Sequence, residues 1–97
     1  MDRVIHGAPT RPYLIDAIEH GMGPCIRMLL ERGANVNAAD ISTGKTPLMA
    51  AAAKGHTVFL RKLVKLGALV DARDHVGKTA LWYAVMEKQL YTAHKLI

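Results

Sequence analysis

Only one cysteine, Cys25, occurs in the chain; this excludes an internal disulfide and any cysteine-based metal spacing, and it fits a reducing compartment. Long apolar runs are lacking too. None approaches the roughly 18 residues needed to cross a bilayer, and the opening MDRVIHGAPTRP has no apolar centre of the kind a secretory signal requires. The expected setting is therefore cytoplasmic, with the nucleus as the alternative, and no membrane span is expected. The five histidines, His6, His20, His56, His75 and His94, are scattered, with no H-E-x-x-H and no pair four residues apart to make a helical metal site. Cys25 has no activating partner in the sequence and reads as a small packing residue. Without an acid, base or nucleophile constellation an enzymatic reading has no chemistry to stand on, and no cofactor is expected.

What is present is globular. Hydrophobic residues make up 51% and charged residues 22% of the 97 residues, a balance that suits one small folded domain rather than a disordered chain. The net charge of +5 is modest and spread along the sequence, which makes most of it solvated surface.

The pattern is organised around residues 46–68, TPLMAAAAKGHTVFLRKLVKLGA. Thr46 can cap free backbone donors, and Pro47 fits the first helical position, where its missing N–H costs nothing. Leu48, Ala51 and Ala52 then face one way until Gly55 stops the helix. After His56 a second apolar stripe, Phe59, Leu60, Leu63, Val64 and Leu66, runs to Gly67. The unit is helix, tight turn, helix. It recurs: Gly55, Gly67, Ala68, Asp71 and Asp74 answer to Gly21, Gly33, Ala34, Asn37 and Asp40, 34 residues earlier. Gly44, Thr46 and Leu48 recur 33 residues later as Gly77, Thr79 and Leu81, so DISTGKT carries one residue more than DHVGKT, in a turn that tolerates it.

A period of about 33 residues with TPLMAAA standing where T-P-L-H-x-A is expected resembles the ankyrin repeat, with Met49 in place of histidine. The resemblance covers Pro12 to Ile97. It implies an all-α fold, a solenoid of stacked helix-turn-helix units with β-hairpin-like fingers projecting from them. The expected division is a lead-in over 1–11, a capping unit over 12–40, a second unit over 41–74 and a truncated third over 75–97. In the first unit Leu14, Ala17 and Ile18 point inward and Asp16, Glu19 and His20 outward; Pro24 opens its second helix and Ile26, Leu29 and Leu30 fill the stripe. Alanines on the inner helix and bulky residues on the outer one predict a curved stack, concave along the inner helices and fingers. In the third unit Lys88 takes the place of Gly55, where left-handed geometry costs a non-glycine residue roughly 1 kcal/mol, so an altered turn is expected there. Ending at Leu96 and Ile97 without a closing Gly-Ala suggests a truncation point or a covered end.

Function follows from the positions that such a fold does not use. GKT at 44–46 and at 77–79 ends like a phosphate-binding loop, but Ala39 and Ala72 stand where the earlier glycine belongs, so turn and cap are the better reading. His56 follows the turn glycine and is expected to hydrogen-bond between units. Trp82, Tyr83 and Tyr91 are expected to pack within the third unit or against a further one. The exposed positions are Ile41, Ser42, Thr43, Lys45, Ala53 and Lys54 in one unit, and His75, Val76, Lys78, Met86 and Glu87 in the next. Each finger tip pairs an aliphatic residue, Ile41 or Val76, with a lysine, Lys45 or Lys78, which suits an acidic-hydrophobic segment of a partner protein. The expectation is a non-catalytic protein-interaction module, a monomer or part of a longer chain. Two alternatives stand beside it: binding of nucleic acid or anionic lipid by a convex basic strip of Arg27, Arg61, Lys62, Lys65, His94 and Lys95, and a purely structural role as the first part of a longer array. The strip lacks the interleaved aromatics of a nucleic-acid groove.

Overall fold

A computed structural model of the chain describes residues 11–97; apart from Arg11, the expected lead-in lies outside the described residues, as does His6. Six helices follow one another: α1 (Tyr13–Glu19), α2 (Gly23–Glu31), α3 (Pro47–Lys54), α4 (Thr57–Lys65), α5 (Ala80–Met86) and α6 (Leu90–Leu96). They form three antiparallel pairs, and α3 packs on α1 to one side and α5 to the other. Small residues make this approach possible, since Ala50, Ala51, Ala80 and Ala84 are buried in the inner layer. The outer helices α2, α4 and α6 each pack on their own inner partner.

Local chemistry accounts for the helix ends. The Thr46 hydroxyl accepts from the Met49 amide at 3.3 Å, and the Thr79 hydroxyl from the Trp82 amide at 3.3 Å, so both threonines of the GKT segments act as caps. The turns between paired helices share one closure: Met22 N–H to Ala17, His56 N–H to Ala51 and Gln89 N–H to Ala84, at 2.9, 3.0 and 2.7 Å. Lys88 adopts φ +60 in the third of these turns, matching φ +69 at Gly55. The expected alteration therefore does not occur. Packing of α6 on α5 holds the lysine in the strained region instead.

The core differs from expectation in a few places. Ile15 and Met49 join Leu14, Ile18, Leu48, Leu60 and Leu63 as buried side chains, because an inner helix that packs on a neighbouring pair as well as on its own partner needs a wider apolar face than an ordinary amphipathic helix. Val64 and Leu66, expected in the stripe of α4, are exposed instead, since an outer helix is covered on one side only. The ring of His56 makes no hydrogen bond among the described residues; it meets Phe59 edge-on, with centroids 6.5 Å apart. Gln89, its counterpart in the third unit, supplies a link between units, from its side-chain amide to the Ala53 carbonyl at 3.4 Å.

Candidate partner-binding surface

The fingers contain no regular strand among the described residues. Each is a tight turn closed by an aspartate. In the first, Asp40 N–H donates to the Lys45 carbonyl at 2.9 Å and Gly44 N–H to the Asp40 carbonyl at 2.7 Å. The Asp40 carboxylate takes the Ser42 amide at 2.8 Å and the Ser42 hydroxyl at 2.7 Å on one oxygen. The second finger repeats the device, with Asp74 accepting from the amides of Val76 and Lys78 at 3.0 and 2.8 Å. One cross-turn bond closes each finger, Asp40 N–H to the Lys45 carbonyl and Asp74 N–H to the Lys78 carbonyl at 2.9 Å, and no further pairing among the described residues extends it into a ladder, so each hairpin-like finger is a turn.

The two carboxylates are each anchored from a second side. Arg11 Nε reaches Asp40 at 3.2 Å while its terminal nitrogen reaches Glu19 at 2.7 Å and Asp16 at 3.3 Å. The Tyr83 hydroxyl donates to the other oxygen of Asp74 at 2.5 Å. Hydrogen bonds from Ser42, hydroxyl first and then amide, hold the Asp40 carboxyl below the ordinary aspartate range. Burial pushes Asp74 upward, but the bonds from Tyr83, Lys78 and Val76 outweigh it and the group is also held low. Burial, then the bond to Asp74 and its charge, push Tyr83 up to about 12. The bond to Asp40, followed by the charge of Glu19, keeps the Arg11 guanidinium protonated beyond its usual range.

Adjacent fingers touch directly. The His75 amide donates to the Thr43 carbonyl at 2.9 Å, and the His75 ring nitrogen lies 3.3 Å from the Ser42 carbonyl. His75 lies so close to Gly44 that a Cβ there would fall 2.5 Å from the His75 ring and 2.8 Å from its backbone nitrogen; only glycine fits, and its φ of +77 demands glycine as well. Ser42, Thr43 and His75 are thus brought together, with their backbones spent on finger geometry. Lys45 is half-buried rather than a free tip. Its ammonium lies 3.0 Å from Glu19 and 5.1 Å from the centre of the Tyr83 ring, because the finger folds back onto the inner helices. Lys78 stands 4.6 Å over the Trp82 ring.

Ile41 and Val76 are fully presented at the tips, 73% and 75% exposed, and Met86 is exposed at the end of α5. Lys54 and Glu87 line a polar recess of about 720 Å³ together with Arg11, Glu19, Lys45 and Gln89. Ala53 is half-buried on its wall. Trp82 and Tyr91 are also exposed, while Tyr83 is held by Asp74. The sequence reading missed Arg11, Glu19 and Tyr83 as organisers of this surface. A signal existed for one of them: the repeated Asp40 and Asp74 each need a donor, and Arg11 next to Pro12 is the cation nearest the start of α1.

Three of the eleven expected positions, Ile41, Val76 and Met86, are therefore exposed apolar groups with nothing over them, and Lys54 and Glu87 are exposed charges. No three His, Cys, Asp or Glu side chains cluster as a metal site among the described residues. No described helix is long and apolar enough to cross a membrane.

Known sequences carry the same pattern. A family model described as ankyrin repeats (3 copies) matches residues 14–97. Glycerophosphocholine phosphodiesterase gde1 of Schizosaccharomyces pombe is 39% identical over 89 residues, covering 92% of this chain and 8% of that protein. An ankyrin repeat-containing protein of the same yeast is 39% identical over 88 residues, covering 91% of this chain and 41% of its own length. Ankyrin repeat and KH domain-containing protein mask-1 of Caenorhabditis elegans is 41% identical over 71 residues, covering 72% of this chain and 3% of that protein. The chain thus spans less than half the length of each of these relatives.

Proposed function

The chain belongs to the ankyrin repeat family, and from that premise we propose that it is a non-catalytic module that binds another protein through its finger tips and inner-helix ends. Ankyrin repeats generally mediate protein–protein interaction. The observation that carries the reading is the contrast at the fingers. Their polar groups are satisfied within the chain, whereas Ile41, Val76 and Met86 face solvent. An apolar residue so presented costs nothing to the fold and gains by burial against a partner, at roughly 25 cal/mol per Å². Lys54 and Glu87 beside them would set orientation. Lys45 and Lys78 contribute less, since Glu19, Tyr83 and Trp82 already occupy them.

The non-catalytic part rests on the titratable groups. Arg11, Asp40, Asp74 and Tyr83, the titratable groups that organise the fingers, are each engaged in structural bonds. The phosphodiesterase similarity covers a small part of that enzyme and does not bring its chemistry here. A free Cys25 fits a cytoplasmic setting. Affinity capture from extract, read by quantitative mass spectrometry, tests the reading with Ile41, Val76 and Met86 changed together to alanine and Lys45 left in place. Loss of a discrete protein set at unchanged thermal stability is expected. Unchanged capture overturns the assignment of this surface.

One observation favours a second reading, service within a longer array. Ile15 and Met49 are fully buried between units, but Trp82 in the same position of the third unit is 38% exposed. Ile18 and Ala52 are likewise buried where Val85 is exposed. Asn37 bridges to the next unit, accepting from Leu69 N–H at 2.9 Å and donating to the Gly67 carbonyl at 3.1 Å, whereas its counterpart Asp71 has no such bond among the described residues. Fusing a further unit after Ile97 is expected to raise the unfolding midpoint; an unchanged midpoint would remove this reading.

A further inference from the structure

The outer helices carry a surface that the finger reading leaves unused. Superposing the units by their repeat places three rows across α2, α4 and α6: Pro24, Val58 and Tyr91; Arg27, Arg61 and His94; Met28, Lys62 and Lys95. All nine are exposed. Lys65 extends the basic set along α4. Glu31 is the single carboxylate on these three helices, against five lysines and arginines.

Density of charge more than pairing separates this face from the inner one, since Lys54 and Lys78 on the inner side also form no salt bridge among the described residues. Arg11 and Lys45, on the inner side, are held by carboxylates at 2.7–3.3 Å. Arg27, Arg61, Lys62 and Lys65 meet no carboxylate within salt-bridge distance among the described residues. Five cations against one carboxylate give the outer helices a net positive charge, a field that attracts anionic partners.

Shape and chemistry narrow the class. Val58, Val64 and the side chains of Arg61, Lys62 and Lys65 line a surface cavity of about 560 Å³ along α4. Its walls are two valines and the aliphatic stems of cationic residues, whose charged heads reach solvent at the rim. A recess of this kind takes an inserted aliphatic side chain with carboxylates beside it. Nucleic acid would need exposed rings to stack on; Tyr91 is the only exposed aromatic in the rows, and Lys95 lies over it at 5.2 Å.

We propose that the outer face of α4, flanked by α2 and α6, docks an acidic protein segment that seats an aliphatic side chain between Val58 and Val64 and places carboxylates on Arg61, Lys62 and Lys65. Arg27 and Lys95 extend the contact to the neighbouring helices. This surface is separate from the fingers, so either can fail without the other.

The test uses the 97-residue protein with a synthetic peptide of glutamate and leucine, a glutamine-for-glutamate version, a serine-for-leucine version, phosphatidylserine vesicles and a single-stranded oligonucleotide, all at physiological salt. Binding of the first peptide is expected to shift the backbone amide resonances of Val58, Arg61, Lys62 and Lys65. Its affinity should exceed those of both altered peptides by at least about ten-fold, and R61E/K62E should lose it at unchanged circular dichroism. Equal binding of the glutamine or serine peptide, tighter binding of vesicles or oligonucleotide, shifts confined to the finger residues, or no shifts at all would each overturn the proposal.

Discussion

Lys45 joins all three units through one ammonium group, 3.0 Å from Glu19 of the first helix pair and 5.1 Å from the Tyr83 ring of the third. Both flanking side chains are mostly covered, so the charge is less screened than in an ordinary surface pair. Replacing Lys45 with Met keeps the stem and removes the charge. Urea unfolding is expected to show a loss of about 1 kcal/mol, and a double-mutant cycle with Glu19→Gln a coupling of about 0.5–1 kcal/mol. Additive effects would show that the pair contributes nothing.

Lys88 and Gly44 make opposite predictions from the same backbone region. Lys88 sits at φ +60 with its side chain exposed, so Lys88→Gly relieves strain and should stabilise by about 0.5–1 kcal/mol. Gly44→Ala adds strain and drives a methyl group into the His75 backbone. A loss of more than about 1 kcal/mol is expected, together with faster hydrogen exchange of the His75 amide that bonds to Thr43.

The bond between Tyr83 and Asp74 makes stability depend on pH at both extremes. Tyr83 keeps its proton to higher pH in the folded state. Its contribution is complete below the ordinary tyrosine value near 10 and is lost as pH rises from there through about 12. Asp74 and Asp40 are lowered, so theirs is present above the ordinary aspartate value and disappears as pH falls through the depressed ones. Ultraviolet titration should show a late tyrosine step extending to about 12. Tyr83→Phe should remove the late step and flatten the alkaline limb of the stability curve.

Much of this architecture was legible because it depends on local chemistry. Thr46 and Pro47 announce a helix start by capping and fixed φ, and Gly55 announces a stop by left-handed geometry; repetition then multiplies each signal. The less legible features are contacts between units. Nothing in the spacing of Lys45 indicates that it turns inward to Glu19, 26 residues away, and its neighbours in sequence suggest an exposed tip. His56 illustrates the same limit, because pairing of its ring with Phe59 or with another unit depends on a rotamer that sequence does not specify. The exposure of Ile41 and Val76 is legible because turn tips have no second layer to bury them.

The inner-layer positions that are buried in two units and open in the third give the last prediction. Ile18 is fully buried on α1, which packs on α3, and truncating it to alanine leaves a cavity that should cost about 3 kcal/mol. Val85 occupies the matching position but is 51% exposed, so Val85→Ala should cost less than about 0.5 kcal/mol in the 97-residue protein. Repeated in a version extended by one further unit, the same Val85→Ala change should rise to about 1–1.5 kcal/mol, because the added inner helix would bury the valine as α3 buries Ile18. Ile18→Ala is unaffected by the extension and serves as the internal control. An equal, small effect of Val85→Ala in both versions would mean that the exposed face of α5 is a finished surface and not a junction.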